Sequence, residues 1–466
     1  MTKSRLKINK KTVLTILALA GPTMFEQLLH TLVQYIDTAM VGSLGTEATA
    51  SVGSTTTVSW LFGSTISAIG VGFLAFISQA IGAKKYDEVK KASAQSVLAV
   101  LFFGIIFTII PLALSPFIPI WMQVDSKIQK TASIYFFIIY MPMLFRTASI
   151  IFGTVLRAAG DTKTPMKAGI LVNIINVVLN FIFIYPTRII TFPNFYLVIP
   201  GLNLGVIGAG IASAIAFLVG GVVIFIALMN HPVVSPKGQS LRPDLKILKP
   251  CFKVALPNAL QRFGTSFGYV AFASMVNSLG EISTAAHTIA NTVESAFYIP
   301  GYGMQSAAST LSGNAYGAKD EKRLSEISKT ILLIEILLMV LSGGLLLLLA
   351  PNMMSIFSRD ASVIMLGATV LRMVAVSEPF YGASIVIEGM MHGLGKTTMP
   401  FVTNIIGMWV IRILGTFIAT QVFDFGLIGA WACMILHNLM LFVMFFIYYI
   451  SGKYNPMPDG NRTNSV

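Results

Sequence analysis

The residues best suited to chemistry lie where charges are scarce. Asp37 stands in an otherwise apolar stretch, and Glu26, His30 and Gln34 precede it so that the four follow at spacings of four, four and three, on one face of a helix. A charged group at the centre of a bilayer costs at least ~2.5 to 3.5 kcal/mol, so such a stripe is expected to line a water-filled cavity or the interior of a bundle. Asp37 reads as an ion- or proton-coupling carboxylate. The competing reading is a solvated group near the outer interface, about 9 Å by helical rise from Ser43. Glu26 reads either as a cavity-lining acid or as the structural partner of Arg146 or Lys167.

Asn173, Asn176 and Asn180 recur at spacings of three and four, again on one face, and Ser213 adds a hydroxyl from the next apolar run. A carboxylate with two or three neutral oxygens suits a small hard cation that sheds water, which makes Asp37, Asn176 and Asn180 a candidate Na⁺ site. The alternative is that these amides only bridge helices, at ~0.6 kcal/mol each. The second half offers Gln261, Arg262, Thr265, Glu294, Glu378, and Glu388 with His392 four residues on. Arg412 is expected to neutralise one of these acids, because an unpaired intramembrane charge is so costly.

No Gly-Lys-Ser/Thr phosphate loop occurs, and no nucleophile, metal cluster or paired-acid arrangement on a soluble face suggests an enzyme. Cys251 and Cys433 have neither metal-ligand spacing nor a disulfide framework. The chain is therefore read as lacking a cofactor other than a coupling H⁺ or Na⁺.

These side chains are carried by a chain of 466 residues, 55% apolar and 11% charged, far below the ~25% charged of soluble domains. Apolar runs predict twelve transmembrane helices near 13–43, 50–81, 95–121, 131–158, 165–186, 204–229, 250–278, 285–316, 327–350, 362–393, 399–420 and 426–451. The net charge of +13 lies in short clusters between these runs rather than on a nucleic-acid-binding face. With a cytoplasmic N-terminus, 24 of the 32 Lys and Arg fall on the cytoplasmic side and 4 outside, which places both termini inside.

A shift of 235 residues superposes Pro22 on Pro257, Ser43-Leu44-Gly45 on Ser278-Leu279-Gly280, and Gly82-Ala83-Lys84 on Gly317-Ala318-Lys319. The same shift puts Gly160, Thr162 and Pro165 on Gly395, Thr397 and Pro400. Further on, Gly205-Val206-Ile207-Gly208-Ala209 matches Gly426-Leu427-Ile428-Gly429-Ala430 at an offset of 221. The first half thus carries 14 extra residues, placed in the outer loop around Pro186 to Asn203. Six spans per repeat set both halves in the membrane the same way up, related by a pseudo-two-fold axis along the membrane normal. The expected organisation is a six-helix bundle over 1–229, a cytoplasmic linker over 230–249, a second six-helix bundle over 250–451 and a cytoplasmic tail over 452–466. Asp37 falls on Phe272, so the coupling carboxylate was not duplicated.

Asp37-Thr38-Ala39-Met40-Val41-Gly42-Ser43-Leu44-Gly45, Gly82-Ala83-Lys84, Arg157-Ala158-Ala159-Gly160-Asp161-Thr162-Lys163-Thr164-Pro165, Asn176 to Asn180, Gly205 to Ala209 and their second-half echoes resemble the multidrug and toxic compound extrusion (MATE) family, within it the prokaryotic DinF-like branch. The likeness covers essentially the whole chain. It implies a secondary antiporter in the inner membrane of a prokaryote, working as a monomer, that exports cationic or amphipathic compounds in exchange for H⁺ or Na⁺ through a cleft between two bundles. It further implies that Asp37 is the coupling carboxylate, with Asn176, Asn180 and Ser213 as partners. In another branch, acids stand where Thr265 and Tyr381 stand here. The rival reading is a lipid-linked precursor flippase of the same superfamily.

Overall fold

The computed structural model describes residues 9–122, 124–192 and 195–457. Lys3, Arg5, Lys7 and Arg462, four of the bases assigned to the cytoplasmic side, lie outside the described residues, as does the tail from residue 458.

The elements in chain order are α1 (Lys10–Gly42), α2 (Thr46–Gly82), α3 (Tyr86–Leu114), the single turn α4 (Ile118–Trp121), α5 (Ser126–Tyr140), α6 (Met143–Ala158), α7 (Lys163–Phe183), β1 (Pro186–Phe192), β2 (Phe195–Leu202) and α8 (Gly205–Asn230). The second half follows as α9 (Leu245–Asn277), α10 (Glu281–Gly317), α11 (Glu321–Phe357), α12 (Ala361–Ala375), α13 (Glu378–Gly393) and α14 (Thr398–Ile406). α14 runs on through π-helical turns, Gly407–Leu414 and Ile418–Val422, on either side of α15 (Gly415–Phe417), before α16 (Gly426–Ile450). Among the described residues eight helices are long and apolar enough to cross a membrane, and the bent pairs α5/α6 and α12/α13 each pass together, giving ten. α9 and α10, at 33 and 37 residues, are long but more polar. Outward-facing side chains are apolar, with Leu341 66% and Leu348 74% exposed on α11, as a polytopic membrane protein requires.

The duplication is written into the backbone. α5 and α6 begin and end 235 residues before α12 and α13, and the two pairs bend by 47° and 55°. Hydropathy reads each pair as one span because a bend leaves composition unchanged. Pro142, at the first break, has no backbone N–H to continue the ladder. Lys84 (φ 59°) and Lys319 (φ 55°), again 235 apart, take the left-handed conformation that L residues rarely adopt. Each ends its helix with the same reach of the following N–H, Lys85 to the Ala80 carbonyl and Asp320 to the Ala315 carbonyl. Asn203 (φ 54°) and Asp424 (φ 53°) repeat the pattern at the offset of 221. The 14 extra residues form the antiparallel hairpin of β1 and β2, pairing from Pro186 with Leu202 to Phe192 with Phe195.

The chain packs as two compact units. The first holds Phe25–Phe73 and Tyr86–Lys249; the second holds the described chain up to Met24, Leu74–Lys85 and the chain from Pro250. Phe136, Tyr140, Met143, Ile151 and Phe152 fill the core of the first. The second is built on Phe272, Met304, Met339, Trp431 and Phe445. In the second unit the end of α2 crosses α10 at two glycines related by the repeat. A Cβ at Gly82 would strike the Asn314 carbonyl, and one at Gly317 would strike the Gln79 carbonyl, so only glycine lets these backbones meet.

Candidate functional site

In the first unit, α1, α7 and α8 bring Asp37, Asn176, Asn180 and Ser213 together. Asn180 donates from Nδ2 to Asp37 Oδ1 at 2.7 Å and to Asn176 Oδ1 at 3.2 Å, and Asn176 Nδ2 donates to Ser213 Oγ at 3.1 Å. The four-residue spacing of the two asparagines places one a turn above the other on α7, and both are buried. In this arrangement the Asn176 oxygen faces the Asp37 carboxyl, 2.8 Å from Oδ1 and 3.1 Å from Oδ2. Turned over, the Asn176 amide would donate to both carboxyl oxygens and accept from Ser213, but its nitrogen would then meet the Asn180 nitrogen at 3.2 Å.

Beside the site, Met40, Val41, Tyr135, Ile184, Val206 and Ala209 form a buried apolar cluster. Tyr185, unforeseen in the sequence, pins α1 there: its hydroxyl lies 2.8 Å from Ser43 Oγ and donates to the Met40 carbonyl at 3.2 Å. The Arg188 guanidinium stacks 4.2 Å from the Tyr185 ring.

Glu26, eleven residues before Asp37 and about 16 Å away by helical rise, belongs to a separate cluster. It pairs with Arg157 of α6 at 3.1 Å, rather than with Arg146 or Lys167. Gly169 gives it room, since a Cβ there would already lie 3.4 Å from Glu26 Cγ. Arg146 instead sits over the Phe217 ring at 4.8 Å. His30 and Gln34 are exposed and Asn173 is half-buried, all outside the Asp37 cluster.

The second unit carries no copy of the Asp37 site. At the two offsets, Asp37, Asn176, Asn180 and Ser213 correspond to Phe272, Ile411, Gly415 and Met434. Arg412 makes no ion pair among the described residues; its guanidinium lies 4.6 Å from the Phe272 ring and 5.0 Å from that of Tyr269. These aromatic faces flank the guanidinium, and its charge also acts electrostatically on the buried Glu294, one of the acids named above.

Glu294, Glu335 and Glu378 are buried in this unit. Glu335 has no hydrogen-bond partner on either oxygen among the described residues, and Glu378 none on Oε2. Thr265 turns back on its own helix, donating to the Gln261 and Arg262 carbonyls, and Tyr381 packs edge-on to Tyr298 at 5.7 Å. Gln261 reaches Glu388, donating from Nε2 to Oε1 at 2.6 Å. Gln305 and Asn404 also point amides at Glu388. The sequence marked neither, because isolated amides on three different helices share no spacing.

The MatE family model matches the chain twice, over residues 22–182 and 257–418, two starts that lie 235 residues apart. The probable multidrug resistance protein NorM of Thermotoga maritima is 26% identical over 440 residues, 94% of this chain and 92% of that protein. The human multidrug and toxin extrusion protein 1 is 24% identical, over 96% of this chain and 77% of its own. Among solved structures, an outward-facing multidrug resistance MATE family transporter superposes with a TM-score of 0.87 at 22% identity, covering 97% of this chain and 98% of that one. With both halves matched by the family model and the fold shared over nearly its full length, the chain belongs to the MATE family of transporters.

Proposed function

We propose that this transporter is a secondary antiporter that exports cationic or amphipathic organic compounds in exchange for protons, with Asp37 as the coupling group. The observation that carries this reading is the Asp37 carboxyl on α1 held by the buried Asn180 amide at 2.7 Å, with Asn176 and Ser213 within hydrogen-bond reach behind it. A proton on Asp37 neutralises the carboxyl in this cluster. Its loss leaves a negative charge on α1 beside α7 and α8, and that charge favours a cation as the exchanged compound.

A proton entering as a monovalent cation leaves moves no net charge, so the pH gradient drives the exchange, and each pH unit supplies about 1.4 kcal/mol, enough for a roughly tenfold cation gradient. The names of the relatives, which call them multidrug resistance and multidrug extrusion proteins, support such substrates. The distribution of Lys and Arg supports a plasma membrane location with both termini cytoplasmic.

The test is efflux of a fluorescent organic cation from proteoliposomes, driven by a pH gradient or a Na⁺ gradient in separate experiments. Efflux under the pH gradient alone is expected. Efflux under Na⁺ alone would assign Na⁺ to Asp37, Asn176 and Asn180, and saturable binding of an undecaprenyl-linked sugar without cation efflux would favour a flippase.

A further inference from the structure

The second unit contains a polar knot that transport through Asp37 does not use. Its centre is Glu388 on α13. Gln261 of α9 donates to Oε1 at 2.6 Å, Gln305 of α10 to Oε2 at 3.4 Å and Asn404 of α14 to Oε1 at 3.4 Å. His392, one turn along α13 and buried, places Nε2 3.7 Å from Oε1. On its other side Nε2 lies 3.4 Å from Nδ2 of Asn258, which is fully buried and whose Oδ1 has no partner.

The repeat explains what this knot replaces. At the offset of 235, Gln261 corresponds to Glu26 and His392 to Arg157, the two members of the ion pair in the first unit. In the second unit the acid has moved from the first helix of the repeat to position 388, where the first unit has Gly153. The base has changed from a guanidinium, which is always charged, to an imidazole, which is not.

We propose that His392 and Glu388 form a proton-binding site in the second unit, separate from Asp37. Nε2 lies between the Asn258 amide and Glu388 Oε1. In the neutral ring with Nε2 bare, a proton taken from water onto Nε2 makes it a donor to Glu388 Oε1, and the positive charge is offset by a carboxylate already held by three amides. The Asn258 Nδ2–Nε2 contact is given up as that amide turns its unpartnered oxygen toward the ring. The site passes from a net charge of −1 to 0. The remaining titratable groups around it are Arg262 of α9 and Tyr302 of α10. Glu335 of α11 lies against Gly382, about two turns back along α13, and α16 offers His437, packed against Gly407.

The test uses the full chain in nanodiscs with ¹⁵N-labelled histidine, His392→Gln assigning the signal. As the pH is lowered from about 8 to 3 the His392 ring is expected to pass from neutral to imidazolium, and in Glu388→Gln its affinity for the proton to fall at least ~tenfold. A ring that stays neutral throughout, or one that titrates identically in Glu388→Gln, overturns the proposal. Proton uptake counted with a pH-sensitive dye gives a second readout that survives misfolding of that variant. His392→Arg, which copies the first unit's pair, is expected to fold and to take up about one proton fewer than the wild type; equal uptake overturns the proposal. The same difference is expected in an Asp37→Asn background, so the result stands apart from the outcome for Asp37.

Discussion

Removing one partner of the Glu26–Arg157 pair should cost far more than removing both. The side chains are 25% and 18% exposed and approach to 3.1 Å, so the Glu26 carboxylate, once Arg157 is removed, faces a largely desolvated site. Breaking a fully buried pair costs ~3 to 5 kcal/mol; with about a fifth of each side chain exposed, ~2 to 3 kcal/mol is expected for Arg157→Met. At ~2 to 4 °C per kcal/mol for a unit of about 200 residues, that is a fall of roughly 4 to 12 °C in Tm. Glu26→Gln with Arg157→Met leaves two polar or apolar groups and no orphan charge, and should recover at least about half of the loss. Thermal unfolding of the purified variants by tryptophan fluorescence completes the double-mutant cycle. If the double variant loses the sum of the two single losses, the residues are uncoupled and the ion pair is no part of what holds α1 to α6.

Three other outcomes follow from local geometry. Ser213→Ala removes a neutral hydrogen bond of ~1 kcal/mol and should slow proton-driven efflux about five-fold in the proteoliposome assay, whereas Asn176→Leu, which removes the group facing the carboxyl, should cost at least ~tenfold. Gly317→Ala forces apart the α2 and α10 backbones and should destabilise by ~1 to 3 kcal/mol, while Gly344→Ala, with open space around it, should change Tm little. Burial holds the His231 imidazole below its usual range, and its Nδ1 accepts from the Val233 and Val234 amides. The unfolded chain therefore takes up that proton first, so this group's contribution to stability is present above about pH 6.5 and lost as pH falls below it. A Tm measured across that window should fall less steeply in His231→Gln.

Much of the architecture was legible because a duplication leaves two readings of every feature. The offset of 235 marked Gly82-Ala83-Lys84 and Gly317-Ala318-Lys319 as equivalent, and the fold places there a matching pair of left-handed turns and the glycine crossing, whereas the bends within 131–158 and 362–393 left no mark in composition. The offset of 221 located the 14 inserted residues, yet not their hairpin, since strand pairing is a property of two segments and not of either one. Helical spacing put Asn176 and Asn180 on one face, and in the fold the Asn180 amide donates to Asp37 and to Asn176. Spacing along one helix says nothing of the partner across it, which is why Glu26 found Arg157 rather than Arg146 or Lys167. Arg412 shows the other limit, because a hydropathy argument demands compensation for its charge but does not foresee the rings of Phe272 and Tyr269 that flank it beside its electrostatic interaction with Glu294.

The central claim is that one carboxyl, Asp37, couples proton movement to export. It is tested most directly by efflux of a fluorescent organic cation from proteoliposomes carrying the wild type or Asp37→Asn, under a pH gradient with Na⁺ absent. The account predicts concentrative efflux by the wild type and none by Asp37→Asn, with binding of the cation to the variant still measurable. Gradient-driven efflux by Asp37→Asn at the wild-type rate would contradict it.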